Sequence, residues 1–222
     1  MKIKSVILIM CFLALTIFVR AQNTSNQETA PVKKESLVKT SYVELLKKLQ
    51  TGDTNVDYKA LRTAFVETKE YSYSGLDKDV RNKMFKSLND KKYKDSLKQA
   101  EKVLEKNYLE INAHYVAYIS NRELKEDKKA EFHKTVMVNL LEAIRNGNDG
   151  LSAKTAFMPI TIDEEYTLMN FLGYKHNSQS LQSIDGHQFD VFEVVDSKTN
   201  QTKKLYFNID VIWKAETAIF SK

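Results

Sequence analysis

Gly147-Asn148-Asp149-Gly150 to Asp163-Glu164-Glu165-Tyr166 is the stretch at which this chain changes character. Before it, apolar residues recur every three or four positions, the spacing of helices packed by one face. After it, they alternate or fall in short β-branched and aromatic blocks bounded by turn residues. The stretch also holds a close glycine pair and a dense acidic triplet. The reading is an α+β fold. An antiparallel helical array comes first, tetratricopeptide-like at most in part, and a small antiparallel sheet with one short helix follows.

Working back from Gly147, Lys128 to Asn146 reads as the longest helix, with Phe132, Val136, Leu140 and Ile144 in register. Earlier helices are predicted over Asn107 to Arg122, Tyr93 to Lys106 and Asp77 to Asn89, and from Asp57, which can cap the helix carrying Tyr58, Leu61 and Phe65. The first helix is expected to open at the capping-box pattern Ser41-Tyr42-Val43-Glu44. Ala113 and Ala117 give the small-and-large alternation of tetratricopeptide pairs, and equally that of any two closely packed helices.

Forward from Gly150, Thr155 to Ile162 reads as a strand with Pro159 at an edge or bulge. Asp163 is expected to cap a helix from Glu164 to Leu172 that Gly173 closes. Tyr174 to Ile184 is a strand, Asp185-Gly186 a two-residue hairpin turn, and Phe189 to Val195 a central strand, apolar on both faces. Ser197 to Thr202 is a polar loop. Lys204 to Val211 is the last strand, with an aromatic tail from Ile212 to Phe220.

The N-terminus reads as an export signal. Lys2 and Lys4 precede an apolar run from Ser5 to Val19, too short for a spanning helix, and Val19-Arg20-Ala21 fits a cleavage site. The division is signal peptide 1–21, disordered tether 22–35, helical subregion 36–146, and an α/β subregion 147–222 packed on the helices as one domain. Cleavage removes Cys11, the single cysteine, which excludes disulfides and cysteine chemistry from the mature chain. It also lowers the net charge from +5 to +2, with 31 basic and 29 acidic residues remaining. That balance gives no footprint for nucleic acid. No other segment is apolar enough to span a membrane, and the expected location is the periplasm or outside the cell.

Four groups of residues invite chemistry. Helices meeting at a turn near residue 124 place positions summing to about 248 at one level, and His114 with His133 comes close. Neutral imidazoles that near can bind a divalent metal such as zinc, copper or nickel, with Asp149 or Glu164 completing the set; each histidine can equally hydrogen-bond a neighbouring helix. Glu164 and Glu165 point about 100° apart, so one faces the turn at Asp149 and the other meets solvent. Paired carboxylates suit acid–base work or calcium, and acidic residues in a first turn also answer the helix dipole. Arg62, five positions from Asp57, is expected to cross to a carboxylate on another element. Eleven tyrosines, Tyr71 and Tyr73 among them, suit either helix seams or a glycan- or peptide-binding groove. Phosphate-binding loops, nucleotide fingerprints, Gly-x-Ser-x-Gly and His-Glu-x-x-His are all absent.

Short pieces spread over the chain carry a family likeness. They are Gly52-Asp53, Asp57-Tyr58, Leu61-Arg62, Ala113-His114, Phe132-His133, Gly147-Asn148-Asp149-Gly150, Thr155-Ala156-Phe157, Glu164-Glu165-Tyr166 and Tyr206-Phe207. In them the chain resembles an exported bacterial family known as domain of unknown function 4919. The resemblance implies export into an envelope with two membranes and implies no activity. Asn148 departs from the more compact Gly-Asp-Gly expected at the central turn. The expected role is a non-enzymatic interaction or accessory protein of the envelope, with an envelope protein or peptide as partner. The alternatives are a metal-dependent enzyme or metal binder built on His114, His133, Asp149 and Glu164, and a glycan or peptide binder.

Overall fold

The computed structural model describes residues 31–220. The expected signal peptide and the first part of the tether lie outside them. Helix α1 spans Pro31–Gln50, ten residues ahead of the expected start, and takes in the end of the expected tether. The reason is local. Pro31 sits at the first helical position, where its fixed φ and missing N–H cost nothing, and neither glycine nor proline follows before Gly52. Ser41 is therefore a mid-helix residue and not a cap.

Helix α2 (Tyr58–Phe65) is capped by Asp57, whose Oδ1 accepts from Ala60 N at 2.9 Å. Helices α3 (Lys78–Asn89), α4 (Tyr93–Lys106) and α5 (Ile111–Glu123) form a minor core of Met84, Ala100, Val103, Leu104, Ala113, Val116 and Ala117. The two alanines of α5 are fully buried, and beside them the Ser96 and Ser120 hydroxyls meet at 2.7 Å, so α4 and α5 approach closely. Helix α6 (Asp127–Arg145) returns along α5 and ends at Asn146 in the left-handed conformation.

After α6 the expected strand shrinks to a single parallel bridge, Phe157 to Phe207. Pro159 has no N–H to extend a ladder, and Met158 N already donates to Ile144 O of α6 at 2.8 Å. A single 3₁₀ turn (Ala153–Thr155) precedes the bridge. Helix α7 (Ile162–Leu172) is capped not by Asp163 but by Thr161, whose hydroxyl accepts from Glu164 N. Asp163 thereby moves into the first turn, and Gly173 closes the helix as expected.

The sheet has order β1-β2-β3, all antiparallel, from β1 (Tyr174–Ile184), β2 (His187–Asp196) and β3 (Thr202–Asn208). Asp185 and Gly186 take φ of 50° and 82°, the double positive φ of a tight hairpin turn. In central β2, Phe192 and Val194 enter the main core, while Phe189 and Val191 pack with Ala156 on the other face. Edge strand β1 is polar and largely exposed, and its register shifts between His176 and Ser178. The expected final strand and tail divide differently. Asn208 ends β3, its Oδ1 accepts from Asp210 N, and helix α8 (Asp210–Phe220) follows, with Ile212 buried.

One main core joins helices and sheet, running from Leu49, Leu61 and Phe65 through Leu140 and Ile144 to Leu168, Phe192 and Phe207. The architecture is α+β. Among the described residues no helix is long and apolar enough to cross a membrane.

Candidate functional site

The first turn of α7 sends three consecutive carboxyl groups in three directions, and all three are buried. Glu164 meets Arg62 of α2, with Arg62 Nη2 2.6 Å from Oε2 and Nε 3.3 Å from Oε1. Arg62 also donates to the carbonyls of Ala143 and Met158, and Ile160 N donates to Glu164 Oε2 at 2.7 Å. This is the crossing expected of Arg62. Asp163 pairs with Arg81 of α3 and accepts from Leu76 N. Burial raises the pKa of Asp163 above the usual carboxylate range while Arg81 pulls it back.

Glu165, expected with Glu164 to present one carboxylate to solvent, instead lies fully buried, with its carboxyl group turned to Asp190 of β2, to which it donates a hydrogen bond when protonated. Desolvation first, and the charge of Asp190 second, push its pKa up to about 9, so it is a neutral acid at pH 7.

A fourth carboxyl group completes this seam. Glu110 caps α5 and is 7 % exposed. Its Oε1 accepts from both amide groups of Asn112, and Asn112 Nδ2 continues to Thr167 of α7. Desolvation, then the charge of Asp163, lift the Glu110 carboxyl to about 7. Glu110, Asp163, Glu164, Thr161, Thr167 and Asn107 line a cavity of about 10 Å³ together with Phe65, Leu109, Ile111 and Ile160.

The helical level count does place two histidines together. His114 Nδ1 lies 3.0 Å from His133 Nδ1, and His114 Nε2 lies 2.8 Å from the Tyr108 carbonyl. A carbonyl only accepts, so His114 carries its proton on Nε2. Its Nδ1 is then a lone pair, and His133 must donate from Nδ1. Burial, with His133 as the next cause, lowers His114 to about 3, and burial lowers His133 to about 4, so both are neutral at pH 7.

The other candidates do not join them. Asp149 is in an exposed turn where its Oδ1 accepts from Leu151 N, and Glu164 is taken up by Arg62. Among the described residues no three His, Cys, Asp or Glu side chains converge to hold a metal, and of the four expected ligands only His114 and His133 lie together. Tyr71 donates its hydroxyl to Ile160 O at 2.6 Å and sets its ring edge-on to Phe65. Tyr73 packs beside it, and its carbonyl accepts from Ile162 N. Both tyrosines serve the seam.

Hollow surface occurs elsewhere. A groove of about 610 Å³ runs between the connector 70–77, α3 and α4, with Leu76, Val80 and Val103 in its wall and Lys83, Lys102 and Asp77 among its charged residues. A second hollow of about 400 Å³ reaches α1 at Tyr42, Val43 and Leu46 and shares Glu70, Glu105 and Lys106 with the first. Neither the groove nor Glu110 was among the sequence candidates. The one available signal was a glutamate immediately ahead of the buried run that begins at Ile111.

No curated protein and no solved structure matches the chain. The family model described as "Domain of unknown function (DUF4919)" matches residues 32–217. With nearly the whole described fold inside that match, from α1 to α8, the chain belongs to this family.

Proposed function

We propose that the protein is an exported, non-enzymatic interaction protein of the cell envelope that holds a peptide segment in the groove between the connector 70–77 and α3–α4. One contrast carries this reading. Arg62–Glu164 and Arg81–Asp163 are consumed in pairs inside the fold, whereas the groove combines the size of a ligand site with apolar wall residues Leu76, Val80 and Val103 among charged ones. Val80, 43 % exposed, offers apolar area there. Export is supported by the sequence from Lys2 to Ala21. The test is selection from a displayed peptide library on purified protein, followed by affinity measurement on Val80→Glu. Selected peptides should bind at least tenfold more weakly to the variant while its melting midpoint stays put. Failure to enrich any peptide, or turnover of peptide bonds by the purified chain, overturns the reading. Fractionation of the producing cell tests the location.

A second reading rests on the histidine pair. If His133 moves its proton from Nδ1 to Nε2, the two facing Nδ1 lone pairs provide half of a metal site, and a bound molecule or second chain would supply the rest. The same reading is tested by melts with zinc, nickel, copper and calcium, with and without chelator, on the wild type and His114→Ala. Specific binding at a hundredfold excess over Kd adds about 2.7 kcal/mol. Equal midpoints under all conditions discard the reading.

A further inference from the structure

The groove between the connector 70–77 and α3–α4 is cut into a strongly basic part of the chain. Residues 78–106, which span α3, its turn and α4, hold ten basic and five acidic side chains, a net +5. The chain from Gln22 onward carries only +2, so everything outside this hairpin sums to −3. Arg81 is taken by Asp163, and Lys86 and Lys92 share Asp90. The other seven cations are exposed and enter no ion pair among the described residues. Three of the seven line the groove, Lys83 from α3 and Lys102 and Lys106 from α4. Helix α4 also carries Lys94, Lys98, Lys102 and Lys106 at successive i,i+4 positions, a like-charge row that works against its own helix. The carboxylates of the groove are disposed otherwise. Asp77 is spent as the α3 cap, accepting from Asp79 N and Val80 N. Glu70 lies 3.7 Å from Lys69, and both Glu70 and Glu105 sit where the groove borders the second hollow.

We propose that the groove recognises a peptide with a carboxylate next to an apolar side chain, the apolar group seated on Val80 and Leu76 and the carboxylate held by Lys83 and Lys102. The inference rests on the groove reading above and names its ligand. An ammonium is a compact charge with three donors, so it serves an acidic side chain and a C-terminus alike. The positive field of the hairpin steers such a segment to the groove, and Glu70 and Glu105 repel it from the border with the second hollow. A hollow of about 610 Å³ with Val80 43 % exposed in its wall suits a chain segment. A flat lipid surface would meet outward lysines such as Lys94 and Lys98 and leave the hollow unfilled.

The experiment is selection on the purified protein from two displayed peptide libraries, one internal and one ending in a free C-terminus, followed by fluorescence anisotropy with the enriched peptides. These should carry Asp or Glu beside an apolar residue, or an apolar residue at a free C-terminus, and the library that yields them decides the source of the carboxylate. Affinity should fall about tenfold or more on Lys83→Glu with Lys102→Glu, and selection repeated on that variant should turn to lysine and arginine. Both positions are exposed, so the melting midpoint should stay put; Lys83→Ala with Lys102→Ala replaces the reversal where it does not. Added salt should weaken binding. Enriched peptides without a carboxylate, or with affinity unchanged by the lysine variants, overturn the acidic ligand. Loss of their affinity on Val80→Gln, which removes apolar area without adding charge, then leaves the groove reading standing. Peptides indifferent to Val80→Gln refute the groove reading and this inference with it. No enrichment from either library overturns both, and binding to phosphatidylglycerol vesicles would then assign the basic hairpin to a lipid surface.

Discussion

Arg62 Nη2 lies 2.6 Å from Glu164 Oε2, joining α2 to α7 between residues 102 positions apart. The guanidinium also answers the carbonyls of Ala143 and Met158, so one side chain ties α2, α6, the bridge segment and α7 together. Both partners are almost wholly removed from water. Removing one leaves an uncompensated buried charge. Arg62→Ala is expected to cost about 3–5 kcal/mol in urea denaturation, and Glu164→Gln less because Ile160 N keeps an acceptor. The double change Arg62→Met with Glu164→Met should recover much of the loss. An Arg62→Ala protein as stable as the wild type would contradict this account.

The histidine pair makes a prediction in tautomers. Nitrogen-15 spectra at pH 7 should show His114 protonated on Nε2 and His133 on Nδ1, both neutral. His114→Ala removes a fully buried ring and leaves the Tyr108 carbonyl unanswered, costing about 3 kcal/mol. A His114 proton on Nδ1 would contradict the hydrogen bond to Tyr108.

Four buried groups set the pH dependence. His114 and His133 fall from 6.5 to about 3 and about 4, so their contribution is present above pH 6.5 and is lost as pH falls through those values. Glu110 and Glu165 rise from 4.5 to about 7 and about 9, so theirs is present below pH 4.5 and is lost as pH climbs through those values. Between pH 4.5 and 6.5 the two pairs oppose each other, and denaturation midpoints should be nearly level there. Above pH 7 stability should decline by about 1.4 kcal/mol per pH unit until Glu165 is ionised. Glu165→Gln should flatten this alkaline limb. Stability increasing from pH 7 to 9 would be incompatible with a protonated Glu165.

Two glycines are filled in by their neighbours. A Cβ on Gly75 would lie 2.4 Å from Asp163 Cβ, and one on Gly150 would lie 2.3 Å from the Phe157 ring, both at positive φ. Gly75→Ala and Gly150→Ala should each cost about 3 kcal/mol through overpacking and backbone strain. Gly147→Ala, also at positive φ but facing open space, should cost about 1 kcal/mol. Equal losses at the three positions would show that the close contacts carry no weight.

Local rules made much of this architecture legible. Asp57, Gly173 and Asp185-Gly186 act on backbone within a few residues of themselves, and their short-range chemistry is enough to place a cap, a stop and a turn. Counting levels along an antiparallel hairpin brought His114 to His133, because helical rise is regular. Arg62 was legible as a crossing residue by exclusion of its near neighbours. What remained hidden depends on the third dimension. Glu165 and Glu110 look like ordinary first-turn or capping carboxylates, and nothing beside them in sequence shows that β2 or α7 will cover them. Thr161 wins the α7 cap from Asp163 because Arg81 and Leu76, 82 and 87 positions away, claim the aspartate. Pro31 falls in the polar stretch read as a tether, although proline is equally at home in a first helical turn. The groove has no sequence signature, since it arises from the angle between a connector and two helices.

The polar edge of the sheet has a consequence for how copies of this chain behave at high concentration. An outer strand of eleven residues, with no further strand beyond it in the described sheet, is a template on which a second chain can add its own backbone. Here its row of serine, glutamine and lysine keeps water on the strand, and the irregularity at Asn177 breaks the straight ladder that a fibril would need. Replacing Ser178, Ser180 and Gln182 with valine would leave the hairpin intact and turn that edge into a seed for ordered aggregation.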